Sequence, residues 1–179
     1  MNNRLAASLA AAAALGAAQP ADAVDSVSLE VGSGDKTNMA RIGAQWKWQS
    51  RWFDTGSWHL GGYWDLQLGY WRGDNSAGGN VSLVDAGLTP TFRVQGSAPT
   101  GPYLEAAIGF HYLTSKRIHA NKRFGTNFNF GDHVGAGVRF GERGRYDLGV
   151  RLQHLSNGGI KQPNPGINFA QLRFQYHFD

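Results

Sequence analysis

Strict alternation of apolar and polar residues, repeated in eight runs, constrains this chain more than any other feature. A period of two sends successive side chains to opposite faces of a strand, so each run has one apolar and one polar face. Leu29 and Val31 alternate with Ser28 and Glu30, then Ala40, Ile42 and Ala44 with Arg41 and Gly43. Trp64, Leu66, Leu68 and Tyr70 alternate with Asp65, Gln67 and Gly69, and Ala86, Leu88 and Val94 oppose Asp85, Gly87 and Arg93. Leu104, Ala106, Ile108 and Phe110 oppose Glu105 and Gly109, and Val134, Ala136 and Val138 oppose His133, Gly135 and Arg139. The last two runs set Tyr146, Leu148, Val150 and Leu152 against Asp147, Gly149 and Arg151, and Ala170, Leu172, Phe174 and Tyr176 against Gln171, Arg173 and Gln175.

Each run meets or approaches the about 9–11 residues that a tilted strand needs to cross a bilayer. With the apolar faces outward the chain is an eight-stranded antiparallel transmembrane β-barrel; with them inward it is a soluble, lipocalin-like binder. Aromatic residues near the strand ends and a terminal strand ending at Phe178 favour the membrane barrel, as does the coexistence of 25 glycines with 12% aromatic residues. The interior of so small a barrel is only just filled by side chains. Arg41, Asp65, Asp85, Arg93, Glu105, Arg139, Asp147 and Arg151 are therefore expected to pair inside it, leaving no channel.

Arg4, the Ala- and Leu-rich stretch from Leu5 to Ala18, and Ala21-Asp22-Ala23 have the form of a signal peptide with a small-x-small cleavage site. The expected organisation is a cleaved leader over residues 1–23 and a barrel over residues 24–179. The chain has no cysteine, so an exported domain must be held by its core or by closure of its sheet. With the N-terminus periplasmic, the short connections at residues 96–101 and 141–144 fall on the periplasmic side. The longer ones at 72–80, 114–127 and 157–166 fall outside.

Parity then locates a candidate site. His154 and Ser156 continue the lipid-facing series of the seventh run, and Asn168 extends that of the eighth. His59, His111, His133 and His177 have lumen parity and His119 lies in a loop, so His154 alone among the histidines points at the membrane. Polar groups on a lipid face are expensive and mark function. His154 can take the Ser156 proton so that Oγ attacks an ester carbonyl, then return it to the leaving alcohol. Asn157, Gly158 and Gly159 follow directly, and glycines permit a turn that aims backbone N–H groups at an oxyanion. Lys116, Arg117, Lys122 and Arg123 cluster in the external connection before the sixth run, where they are either a solvated face or contacts to phosphates. The net charge of +4 suits an anionic glycolipid surface better than nucleic acid, which an exported chain rarely meets.

The run His154-x-Ser156-Asn157-x-Gly159-x-Lys161-Gln162-Pro163-Asn164-x-Gly166, on an eight-stranded barrel behind a signal peptide, closely resembles the outer-membrane lipid A 3-O-deacylases (PagL-type). A looser similarity extends over the rest of the chain, including residues 46–52 and 104–109. The resemblance implies an outer-membrane enzyme that hydrolyses the ester holding the 3-hydroxyacyl chain at position 3 of lipid A, with no metal or cofactor. It implies His154 as base and Ser156 as nucleophile, with the turn at residues 157–159 near the oxyanion. This chain departs at Asn168 from a family member that carries Glu there. Asn168 can still orient the imidazole by accepting from Nδ1–H, and Asp132, at lipid parity on the sixth run, is the alternative orienting residue. The competing functional reading is a non-catalytic barrel that binds partners through its external loops. Both readings admit pairing of barrels into a homodimer.

Overall fold

The computed structural model describes residues 23–75 and 79–178, so the expected leader lies outside the described residues apart from Ala23. The strands are β1 (Ser26–Gly34), β2 (Thr37–Lys47), β3 (Trp58–Asp74), β4 (Asn80–Gly96), β5 (Gly101–Leu113), β6 (Arg117–His119), β7 (Lys122–Arg123), β8 (Phe128–Phe140), β9 (Tyr146–Ser156) and β10 (Ile167–His177). Eight of them close an antiparallel barrel in the order β1-β10-β9-β8-β5-β4-β3-β2, while β6 and β7 form a separate two-stranded ladder. Closure runs from Ser26↔His177 to Ser33↔Ala170, so β1 and β10, the first and last strands, leave no free edge.

The alternation decides which face is outside. Leu29, Ile42, Leu66, Leu104, Val134, Leu152 and Leu172 are exposed around the wall, whereas Glu30, Arg41, Asp65, Asp85, Glu105, Asp147, Arg151 and Arg173 are buried in the lumen. An apolar outer belt with a polar interior suits hydrocarbon and is the reverse of a soluble barrel. Aromatic contacts mark both ends of the belt. Trp48, Trp52 and Phe92 cluster at the end carrying the termini, with Tyr146, Tyr176 and Phe178 nearby; Phe110, Phe128 and Phe130 cluster at the other.

Inside, the charges pair as expected. Arg41 bridges Glu30 (2.8 Å) and Asp85 (2.9 Å), and Arg93 bridges Glu105 (2.7 Å) and Asp147 (2.8 Å). Arg151 reaches Glu105 at 2.7 Å and Glu30 at 3.0 Å, and Tyr63 donates its hydroxyl to Glu105 at 2.9 Å. Arg139 differs: its guanidinium donates to the Gly144 carbonyl, at the start of the chain's return into β9.

Two features depart from the sequence reading. The external connection expected over residues 72–80 is shorter, because the 17-residue strands β3 and β4 keep pairing as far as Asp74↔Asn80. The lumen is also not polar throughout. At the end opposite the termini, external in the expected topology, Met39, Trp71, Leu83, Leu113, Leu155, Ile167 and Phe169 form an apolar plug with Ile118 and Phe124. The last two come from the 114–127 connection, whose β6–β7 ladder folds inward over the barrel mouth. This arrangement was hidden from periodicity because Ile118 and Phe124 belong to a loop.

Glu105 receives Arg93, Arg151 and Tyr63 together, so Glu105→Leu leaves two buried guanidinium groups short of a carboxylate. Breaking a buried pair in this way costs about 3–5 kcal/mol. Urea unfolding of the barrel in lipid vesicles, followed by tryptophan fluorescence, should show a midpoint well below that of the parent chain.

Candidate active site

The site follows from register. His154 on β9 pairs with Asn168 on β10 and with Asp132 on β8, so the three lie in one row across three strands, and Ser156 pairs with Phe130. In this row all side chains point outward, because their chain neighbours point in: Leu155, Ile167 and Phe169 are buried in the plug. Apolar side chains inside the wall therefore alternate with polar ones outside it. The packed plug, with Trp71 and Phe169 ring centroids 4.8 Å apart, backs the strand ends that carry His154, Ser156 and Asn168.

Asn168 Oδ1 lies 2.6 Å from His154 Nδ1. An amide oxygen only accepts, so Nδ1 carries the proton and Nε2 keeps the lone pair. Asp132 is exposed in the same row, and among the described residues the imidazole is hydrogen-bonded to Asn168 rather than to Asp132. Ser156 sits two residues from His154 on the same face, about 7 Å away by strand rise. Both are half-buried.

The turn after Ser156 is built by Asn157, which is fully buried. Its backbone N–H donates to Asn164 Oδ1 (2.9 Å), its side-chain amide donates to the Lys161 carbonyl (2.6 Å), and its Oδ1 accepts from Gly159 N–H (3.0 Å). Gly158 and Gly159 have φ of 64° and 80°, a left-handed path that glycine follows without strain. The expected set of oxyanion donors narrows accordingly. The N–H groups of Asn157 and Gly159 are spent within the turn, whereas that of Gly158 donates to Ser156 Oγ at 3.5 Å.

Two residues outside the expected catalytic set hold the imidazole from the far side. Gly166 has φ 63°, and a Cβ there would lie 2.6 Å from His154 Cε1, so only glycine lets the chain pass this close to the ring. Its carbonyl accepts from Lys122 Nζ at 2.7 Å, and the same ammonium pairs with Asp35 in the β1–β2 turn. Lys122 holds the Asp35 carboxyl below its ordinary range, chiefly by this hydrogen bond. The pair is thus intact at neutral pH and is lost only as the pH falls through that lowered value. Gly125 N–H adds a bond to the Pro163 carbonyl at 2.7 Å, tying the 114–127 and 157–166 loops together. Nothing in the sequence marked Lys122 off from its basic neighbours; for Gly166 the signal was a glycine closing the motif.

Lys116, Arg117, Lys122 and Arg123 line a cleft of about 890 Å³ between these loops, bounded on the other side by Pro163 and Pro165. Arg117 and Arg123 are exposed and Lys116 half-buried, while the Lys122 ammonium is turned toward Asp35 and Gly166. A second depression, of about 1000 Å³, runs along the outer wall beside the site. It is lined by Val134, Val150, Leu152, Ala170 and Leu172 among others, and Leu152 and Ala170 lie one lipid-facing position below His154 and Asn168. Among the described residues no group of three His, Cys, Asp or Glu side chains is placed to hold a metal ion.

Residues 38–177 match the family model described as lipid A 3-O-deacylase (PagL). The chain is 36% identical to lipid A deacylase PagL of Pseudomonas aeruginosa over 88% of its length and 87% of the relative's. It is 37% identical to lipid A deacylase PagL of Bordetella bronchiseptica over 95% of this chain and 92% of that one. Among solved structures it is similar to the outer membrane enzyme PagL, with a TM-score of 0.75 and 31% identity over 86% of this chain and 99% of that one. Its likeness to Neisserial surface protein A, with a TM-score of 0.50 and 14% identity over 86% of this chain and 94% of that one, is one of fold alone. The motif, the barrel and the relatives agree: this chain is an outer-membrane β-barrel that belongs to the lipid A 3-O-deacylase (PagL) family.

Proposed function

We propose that this family member removes the ester-linked 3-hydroxyacyl chain at position 3 of lipid A through a Ser156 nucleophile and a His154 base, oriented by Asn168. The observation that carries the reading is the 2.6 Å contact of Asn168 Oδ1 with His154 Nδ1, on the lipid-facing side of the wall. It fixes the tautomer in which Nε2 is the free base. Nε2 takes the proton as Ser156 Oγ attacks the ester carbonyl. The tetrahedral oxyanion forms near Gly158 N–H, and collapse passes the proton to the departing lipid A hydroxyl. Water, deprotonated by the same imidazole, then cleaves the acyl-enzyme, releasing the fatty acid and restoring Ser156. Asn157 and Gly159 serve by holding the turn that presents Gly158.

The apolar depression below His154 and Asn168 would take an acyl chain, leaving its ester level with Ser156. The cleft above, with Lys116, Arg117 and Arg123, would hold the phosphates of lipid A, and Lys122 supports that cleft while bracing Gly166. Pairing of two barrels into a homodimer belongs to the same proposal, and the chemistry at Ser156 does not depend on it.

The test is mass spectrometry of lipid A from cells making the parent chain or Ser156→Ala, with both barrels shown to be folded. The parent should remove one 3-hydroxyacyl group and Ser156→Ala none; unchanged lipid A with a folded parent would leave the non-catalytic barrel in its place. Asn168→Ala should slow turnover by about ten- to a hundred-fold, the value of a hydrogen bond that orients a base. Unaltered turnover in Asn168→Ala, together with an inactive Asp132→Ala, would transfer the orienting role to Asp132. Lys122→Met should lower kcat by about ten-fold by freeing Gly166 from its charge-assisted bond. That loss should be equal on lipid A and on a phosphate-free ester, because it acts through His154; a loss confined to phosphorylated substrate would make Lys122 a phosphate contact instead.

A further inference from the structure

The other end of the lumen carries a feature that ester hydrolysis does not use. At the mouth that carries the chain termini, periplasmic in the expected topology, a cavity of about 90 Å³ lies between the ends of β2, β3, β8 and β10. Lys47, Arg51, Arg93 and Arg139 line it with His59 and His177, and among the described residues no carboxylate lines it. Arg93 is neutralised by Glu105 and Asp147. Lys47, Arg51 and Arg139 are not: among the described residues none of them forms an ion pair, and the nearby Asp25 carboxylate, which accepts from the Lys47 backbone N–H at 2.7 Å rather than from its ammonium, is one negative charge beside three positive ones.

The two histidines point the same way. His59 is 4% and His177 5% exposed, yet among the described residues Nδ1 of His59 and both ring nitrogens of His177 have no hydrogen-bond partner. His177 Nε2 is 3.6 Å from Asp147 Oδ2, beyond hydrogen-bond range, and that carboxylate already accepts from Arg93 and, at 2.5 Å, from Tyr103. Buried polar groups without partners are costly, and like charges gathered around one mouth repel one another. A water needs about 10–15 Å³ of such space, so the cavity has room for something larger than one water.

We propose that the periplasmic mouth of the lumen is a binding site for a phosphate-type oxyanion. Donors arrive from four strands around one enclosed volume, which suits a tetrahedral ion with acceptors on every side better than a planar carboxylate. The ion neutralises Lys47 and Arg139 and gives the ring N–H groups of His59 and His177 an acceptor. The source is either free inorganic phosphate or the phosphomonoester head group of a lipid.

Calorimetric titration of the whole folded chain in a non-ionic detergent, at constant ionic strength set with chloride, tests the proposal. Inorganic phosphate should bind saturably with one site at this end. Lys47→Gln and Arg139→Gln should each weaken it by about ten-fold, the value of one charge-assisted contact. In the background Arg117→Gln/Arg123→Gln, which removes the phosphate contacts of the external cleft, the site at this end and its dependence on Lys47 and Arg139 should remain. Lys47 is exposed at the rim, so Lys47→Gln keeps the test available if Arg139→Gln does not fold. Dihexanoyl phosphatidic acid distinguishes the sources: binding of that lipid alone, weakened by the same variants, identifies a head group, and binding of inorganic phosphate identifies the free ion. Titrations of both probes without saturation would mean that the cavity holds water, and affinity lost only in the Arg117/Arg123 variant would place the phosphate in the external cleft. Either result overturns the proposal.

Discussion

Every backbone N–H and C=O in a hydrocarbon layer must be bonded within the protein, and the rest of this structure depends on that demand. Eight strands meet it by closing β1 onto β10, which removes both edges at once. Closure at eight strands also fixes the width of the interior, which side chains must fill. Charged side chains shielded from water by the wall pair with one another, and Glu30, Arg41, Asp85, Arg93, Glu105, Asp147 and Arg151 form a packed ionic core. An enzyme built this way has no room for a substrate in its lumen. Its chemistry is pushed onto the outer wall and the two mouths.

The outer-wall site works because the wall has two sides. Leu155, Ile167 and Phe169 lock into the plug from within, and the alternating residues His154, Ser156 and Asn168 are thereby held on the lipid side. Loops complete the arrangement from above. Lys122 links the β1–β2 turn, through Asp35, to Gly166, which lies against the imidazole. The 114–127 connection thus does two jobs: it corks the lumen with Ile118 and Phe124, and through Lys122 it holds Gly166 beside the His154 imidazole.

Asn168 gives the site its particular character. In the proposed mechanism, a carboxylate in its place would orient the imidazole and also stabilise the positive charge that develops as Ser156 is deprotonated; an amide supplies the first effect only. Asp132, in the same row on the other side of His154, forms no hydrogen bond to the imidazole among the described residues. The lipid-facing setting sharpens the difference, because a charge beside hydrocarbon is poorly screened and costly to leave unpaired. An amide avoids that cost when the site is empty.

Much of this was legible in the alternation itself. Period two, with aromatic residues near the run ends, determined a barrel with its apolar face outward. Parity along the seventh and eighth runs placed His154, Ser156 and Asn168 on the lipid side, since a strand fixes side-chain direction residue by residue. What parity could not supply was anything decided between strands or between loops. Asp132 and Asn168 are equivalent by register, both paired with His154, and only the direction of the imidazole separates them. The apolar plug, the spent N–H groups of Asn157 and Gly159, and the turning of Lys122 from its basic neighbours toward Asp35 and Gly166 all depend on where loops fall once the barrel has closed. Local sequence sets which way a side chain faces; closure and loop packing set what it meets, because those contacts join residues far apart in the chain.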